Sequence, residues 1–194
     1  MSVAFYIENS YKVSELITKK YSTSFSLATS VLEKEKRKAI YAIYGFVRLA
    51  DEIVDSLHNY DKSFLLEKLT EDLEYALKYG ISTNLILASF VDTAKKYRIK
   101  KEHIDAFMQS MEYDLTKINY TETSDLNNYI YGSADVVGLM CLTVFCNGNE
   151  ALYNELEYPA QKLGSAFQKV NFIRDLREDT GDLGRNYFPE ISVD

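Results

Sequence analysis

Chain breakers are scarce in this sequence. Its 194 residues include 8 glycines and 2 prolines, so few positions interrupt regular elements and long helices are favoured. Cysteine is nearly absent too. Cys141 and Cys146 stand five residues apart in one apolar stretch and would point in different directions on a helix. That spacing argues against a mutual disulfide and for a reducing, cytoplasmic setting. The sequence has no cysteine–histidine metal spacing, dinucleotide-binding glycine loop, Walker loop or serine nucleophile elbow. Long hydrophobic runs are missing as well: the longest, Val136 to Cys146, is too short to span a bilayer. The first twenty residues lack the apolar core and cleavage-like site of a signal peptide. With a net charge of −7 and a pI near 5.0, the chain does not have the basic balance of a nucleic-acid binder.

Helical periodicity fills what remains. From Glu33 to about Leu57, the residues Ile40, Ile43, Val47, Ala50, Val54 and Leu57 recur at spacings of three and four, forming one apolar face. Lys62 to Tyr79 repeats the pattern with Leu65, Leu69, Leu73, Ala76 and Leu77, and Gly80 is placed to end that helix. Ser82 is expected to cap the next helix. Further helices follow over Lys101–Lys117, Ser124–Cys146 and from Ala151 or Pro159 to about Thr180. With no convincing strand pair, hairpin dipeptide or internal repeat, and no low-complexity linker, residues 1–194 read as a single all-α domain.

Two acidic segments then stand out. Asp51 and Asp55 are four residues apart, as are Asp175 and Asp179, so each pair shares a helix face one turn apart. Like charges at that spacing cost roughly 0.2–0.5 kcal/mol per pair, so a positive group is expected between them. Tyr44, Arg48, Asp51 and Asp55 make one polar stripe, flanked by Ile43, Phe46, Val47, Ala50, Ile53 and Val54. A solvated face with an Arg48–Asp51 ion pair is the simpler explanation, but apolar neighbours on both sides favour the interior of a bundle. Gln168, Asn171, Asp175 and Asp179 make a second stripe, with Gly164 and Ala166 leaving room nearby; its simpler explanation is a surface helix with an Arg174–Glu178 pair. Magnesium takes one or two carboxylates and completes its shell with water and substrate phosphate. Sparse aspartates with neighbouring amides suit that demand. Arg48 and Arg185 offer planar forks for phosphate oxygens.

Other features are weaker. Tyr21-Ser22-Thr23-Ser24-Phe25 places three hydroxyls in five residues, a pattern also common at helix kinks and caps. The mixture of small and bulky residues over 129–145 suits either a greasy tunnel or a tightly packed helix pair. His58 and His103 have no acidic or serine partner at motif spacing and are expected on the surface.

Five segments taken together resemble the squalene/phytoene synthase family, with wording most similar to its bacterial phytoene synthases. They are Tyr-Ser-Thr-Ser-Phe-Ser (21–26), Tyr-Gly-Phe-Val-Arg-Leu-Ala-Asp-Glu-Ile-Val-Asp (44–55), Tyr-Ile-Tyr-Gly-Ser-Ala-Asp-Val-Val-Gly (129–138), Gly-Ser-Ala-Phe-Gln-Lys-Val-Asn-Phe-Ile-Arg-Asp-Leu-Arg-Glu-Asp (164–179) and Gly-Arg-Asn-Tyr-Phe-Pro (184–189). The resemblance implies an all-α isoprenoid-synthase bundle with a central cavity between two Asp-rich helices. It implies that Asp51, Asp55, Asp175 and Asp179, with Asn171, hold magnesium ions bridging prenyl diphosphates. It further implies that Ser22, Ser24, Tyr44, Arg48, Gln168, Asn171, Arg185 and Tyr187 line the diphosphate region, and that Tyr129, Val137 and Gly138 border the reaction centre. Phe25 and Tyr129 could face a carbocation.

The implied reaction is head-to-head condensation of two geranylgeranyl diphosphates to phytoene through a cyclopropylcarbinyl diphosphate. Thr29, one turn beyond Phe25, is small where a bulky aromatic would floor the pocket, which favours the C20 substrate. The alternatives are a squalene-type synthase using farnesyl diphosphate and NADPH, or a non-catalytic scaffold member. Family members continue for several helices beyond the point reached here, so the chain is expected to lack C-terminal helices that help close the cavity. Peripheral membrane contact for release of a lipid product is a further expectation.

Overall fold

A computed structural model describes residues 2–116 and 123–181, with side chains to residue 174 except Thr123. Nine α-helices and one π-helical turn account for most of the described residues, and no strand occurs among them. They are α1 (Val3–Tyr21), α2 (Thr23–Ser30), α3 (Lys34–Asp55), α4 (Lys62–Tyr79), α5 (Leu85–Tyr97), α6 (Lys101–Thr116), α7 (Thr123–Ile130), the π turn (Tyr131–Asp135), α8 (Val136–Cys146) and α9 (Glu150–Gly181).

The helix ends follow local chemistry. Asp61 caps α4 by accepting from the Phe64 amide at 3.0 Å, and Gly80 closes it in the left-handed conformation at φ 75°. Asn84, rather than Ser82, caps α5 through the amides of Ile86 and Leu87. The Ser82 hydroxyl instead accepts from the Asn84 amide at 3.1 Å. The hydroxyl cluster at 21–25 marks a break rather than one turn of a single helix. Ser22 is extended (φ −145°, ψ 101°), ends α1, and caps α2 through the Phe25 amide.

Helix α3 is the axis of the bundle. Of the predicted face, Ile40, Ile43, Ala50 and Val54 are buried and Val47 and Leu57 half-buried, while Phe46, outside that face, is fully buried. Phe46 stacks on Phe90 of α5 with centroids 4.0 Å apart and meets Phe107 of α6 edge-on at 5.3 Å. Burying each such ring contributes roughly 1.5–3 kcal/mol, and each aromatic pair about 0.5–1.5 kcal/mol more. Helix α1 packs here through small hydroxyl residues: Ser10, Ser14 and Thr18 are fully buried, and Ser14 Oγ meets Ser89 Oγ at 2.8 Å. This close approach needs Gly45, because a Cβ there would lie 2.9 Å from Ser14 Oγ.

The expected helix 124–146 is interrupted by the π turn. Gly132 permits the turn, since a Cβ at that position would sit 2.6 Å from the Ala106 carbonyl oxygen of α6. By length and composition Ser124–Cys146 could cross a membrane, yet 61% of its apolar window is buried inside the fold. It is a core helix of the bundle. Cys141 and Cys146 are unpaired, as their spacing predicts.

Candidate active site

The polar stripe of α3 lies against the α1–α2 break on one side and α6 on the other. Tyr44 stacks on Phe25 of α2 with centroids 5.0 Å apart, and burial raises its phenol, opposed by Arg48 and a hydrogen bond with Ser22. The Arg48 guanidinium lies 4.5 Å over the Tyr21 ring and forms an ion pair with Glu52. The pair read from sequence, Arg48–Asp51, is therefore corrected: Glu52, one turn on, takes the guanidinium. Arg48 Nε is buried and has no hydrogen-bond partner among the described residues, leaving one donor for an incoming acceptor. Burial works to raise Glu52, but hydrogen bonds with Ser56 and Arg48 outweigh it and leave the carboxyl below its usual range.

Asp51 is the electrostatic centre of the stripe. Burial raises its carboxyl to about 7, with Asp55 and Asp114 adding repulsion and Arg48 opposing it. Asp114 is a site residue that the sequence reading missed. It continues the Ile104–Phe107–Met111 face of α6, all three buried, and an acid at the end of an apolar face was the available signal. The Tyr129 hydroxyl donates to Asp114 Oδ2 at 3.0 Å. Tyr129 is buried, and its ring is nearly parallel to Phe172 of α9 at 6.3 Å. A chain of contacts thus runs from α3 through α6 and α7 to α9.

The second stripe is visible in part. Gln168 and Asn171 are half-buried on α9, and Asn171 Nδ2 donates to Gln168 Oε1 at 3.4 Å. Gly164 sets the close approach of α9 to the π turn, because a Cβ there would lie 3.0 Å from Asp135 Cα. Ser165 Oγ donates to Asp135 Oδ1 at 2.8 Å beside it. The α9 backbone carries Asp175 and Asp179, but their side chains lie outside the described residues, as do Arg185 and Tyr187 entirely.

Around these groups, Thr29 is buried on α2, Val137 and Gly138 are half-buried on α8, and Phe25 is half-buried. Ser24 is exposed on α2; only Ser22 of the hydroxyl cluster meets Tyr44. Contrary to expectation, His103 is buried at 2% exposure. It occupies the inward face of α6, and burial there lowers its pKa.

The donor set fits a hard divalent cation. Asp51, Asp55 and Asp114 are half-buried, and Asp55 and Asp114 both repel the Asp51 charge, a load that a cation would relieve. Among the described residues, no three acidic, histidine or cysteine groups converge on one point. Asp51 and Asp55 therefore suit an ion completed by water and phosphate rather than a closed protein cage.

Comparison with known proteins adds lineage to this geometry. Residues 18–192 match the family model described as squalene/phytoene synthase. The chain is 32% identical over 177 residues to phytoene synthase 1, chloroplastic, of Zea mays, covering 90% of this chain and 43% of that protein. It is 30% identical over 194 residues to 4,4'-diapophytoene synthase of Staphylococcus haemolyticus, covering 96% of this chain and 65% of the other. The chain thus spans about two-fifths to two-thirds of these relatives' length. A crystal structure of a dehydrosqualene synthase in complex with ligand superposes at TM-score 0.80 with 28% identity, covering 93% of this chain and 61% of that one. The bundle has the isoprenoid-synthase helical fold.

Proposed function

The chain belongs to the squalene/phytoene synthase family, and from that premise we propose that its protein condenses two geranylgeranyl diphosphates head to head to phytoene, in carotenoid biosynthesis. The observation that carries this is Asp51, whose carboxyl is pushed up by burial and by Asp55 and Asp114, with Arg48 one turn away opposing the shift. Such a cluster can take up charge from a diphosphate and its counter-ions. Asp51, Asp55, Asp175 and Asp179, with Asn171, would hold magnesium. When bound, magnesium neutralises charge gathering on the departing diphosphate.

The chain's own groups bind, orient and exclude water. Arg48, Tyr44, Ser22, Gln168 and Asn171 hold phosphate oxygens, with Ser24, Arg185 and Tyr187 assigned to the same region. One substrate loses diphosphate as its C1–O bond breaks. The double bond of the second attacks that carbon, and loss of a proton closes the cyclopropane. The second diphosphate then leaves, the ring rearranges, and another proton loss gives the C40 hydrocarbon with two diphosphates released. Tyr129 and Phe25 present aromatic faces to the cation, while Val137, Gly138 and Thr29 keep water from it. On this reading residues 1–194 form one all-α domain that works in the cytoplasm.

Incubation with geranylgeranyl diphosphate and magnesium should give a C40 hydrocarbon; a longer linear diphosphate would reject head-to-head chemistry. Reductant-dependent C30 squalene from farnesyl diphosphate and NADPH would move the assignment to the squalene type. Unchanged binding of a magnesium–diphosphate analogue in Asp51→Ala plus Asp175→Ala would favour a non-catalytic scaffold.

A further inference from the structure

Helix α3 ends against its own electrostatics. Asp51, Glu52 and Asp55 fall within its last five residues, and its last turn contains no basic residue. The negative end of a helix dipole disfavours acids there, and Asp51 and Asp55, one turn apart, repel each other as well. Arg48 stands a turn earlier and is paired with Glu52. The end of the helix therefore calls for a cation from elsewhere in the chain.

Lys62 supplies it. Its ammonium donates to the Val54 carbonyl at 2.8 Å from eight residues further on. Val54 stands between the two aspartates, and its carbonyl is one of those that a helix end leaves without an intrahelical amide. In a continued helix the His58 amide would reach it, but that amide donates to the Ser56 carbonyl at 2.9 Å instead. Lys62 Nζ also lies 3.2 Å from His58 Nδ1, within the connection that it spans.

This placement runs against the preference of α4. Lys62 is the first residue of that helix, where a cation faces the positive end of the helix dipole. No carboxylate lies within ion-pair distance of its ammonium among the described residues. Lys62 is half-buried, whereas Lys68, further along α4, is exposed and pairs with Glu71 and Asp72. The contacts of Lys62 thus serve the end of α3 rather than α4.

We infer that Lys62 is a positioning residue: its ammonium closes the last turn of α3 and holds Asp55 in register with Asp51, the pair that would hold magnesium. The inference rests on that proposed role of the two aspartates. An ammonium has only hydrogens to offer, so Lys62 is no metal ligand itself. Magnesium demands near-ideal geometry from its ligands, and groups that orient ligands from behind typically change metal affinity by roughly 10- to 100-fold.

Manganese(II) binding in the presence of inorganic diphosphate, followed by the paramagnetic resonance of the free ion, tests this without turnover. Lys62→Met, similar in length but without charge or donor, should bind manganese about tenfold more weakly. Lys62→Arg should restore most of the affinity, and Lys62→Gln, which keeps a donor without the charge, should fall between. Lys68→Met should match the wild type, and circular dichroism melts confirm that each variant folds. The Ser56 amide, which donates to the Glu52 carbonyl at the helix end, should exchange faster with solvent in Lys62→Met. A lower melting temperature with unchanged manganese affinity would leave Lys62 a structural cap only and overturn the proposal. So would tighter binding in Lys62→Met, the sign expected if the ammonium merely repels the metal, or an equal loss in Lys62→Arg. Absence of saturable binding in the wild type would instead remove the metal site itself, and this role with it.

Discussion

The Tyr129 hydroxyl donates to Asp114 Oδ2 across the α6–α7 contact at 3.0 Å, and the charge on Asp114 adds to the upward push on Asp51. One carboxylate therefore holds an aromatic side chain in place and tunes a neighbouring acid. A hydrogen bond to a charged group contributes about 1.5–3 kcal/mol. Tyr129→Phe and Asp114→Asn should each destabilise the chain by about 1–3 kcal/mol. Their double mutant should cost less than the sum, with a coupling of at least about 0.5 kcal/mol in denaturant unfolding. Asp114→Asn should also lower the Asp51 titration midpoint followed by carboxyl NMR. An unchanged midpoint would show that the two acids do not communicate.

Three helical glycines should respond differently to alanine, because their surroundings differ. At Gly138 the nearest neighbour of a Cβ is the Ala160 carbonyl oxygen at 3.5 Å, an ordinary contact. Gly138→Ala should stabilise by about 0.5–1 kcal/mol from helix propensity alone. At Gly132 the Cβ meets the Ala106 carbonyl oxygen at 2.6 Å and Ser110 Cβ at 2.8 Å. Gly132→Ala must separate α6 from the π turn and should cost about 1–3 kcal/mol. Gly164→Ala, facing Asp135 Cα at 3.0 Å, should fall between. Thermal melts of the three variants check the order.

Much of this framework was legible in the residues. Apolar periodicity located α3 and α4 to within a few residues, and Gly80 marked a stop because a left-handed residue ends many helices. Ser82 was misjudged because Asn84, two residues on, also caps well and lies nearer the first apolar turn. The π turn could not be read, since it depends on how Gly132 meets α6 rather than on local preference. His103 was placed outside because a polar residue carries no mark of burial in sequence; the inward face shared with Ile104 and Phe107 decided its position. Spacing put Asp51 and Arg48 on one stripe, but Arg48 pairs with Glu52 rather than Asp51. Asp114 and Glu52 act through rotamers and helix packing, which spacing alone does not specify.

Thr29 gives a direct test of substrate length under the proposed chemistry. It is buried at 3% exposure on α2, one turn from Phe25, and a small side chain there leaves depth for a C20 tail. Thr29→Phe should lower the C40-to-C30 product ratio on the order of tenfold when both diphosphates are supplied, since bulk in an apolar pocket discriminates chain length by roughly 1–3 kcal/mol. Thr29→Ser should leave the ratio unchanged. A folded Thr29→Phe variant with an unaltered ratio would remove Thr29 from the pocket floor.

The stability of the metal-free chain should fall as pH rises across the weakly acidic range. Asp51 is raised from its ordinary 3.8 to about 7, so between those values the folded state holds a proton that the unfolded state has lost. Folding is then favoured at the acidic end of the window, and that contribution disappears as pH passes through 7. The shift corresponds to about 4 kcal/mol. Lowered His103 acts with the opposite sign: the unfolded state takes the proton first, so stability drops as pH falls below 6.5. Asp51→Asn should flatten the loss between pH 4 and 7, and His103→Phe should flatten the acidic limb. At pH 8, magnesium with inorganic diphosphate should raise the wild-type melting temperature, and the gain should shrink sharply in Asp51→Asn. Equal protection of both proteins would mean that Asp51 carries no cation, and its burial among other acids would then need another cause.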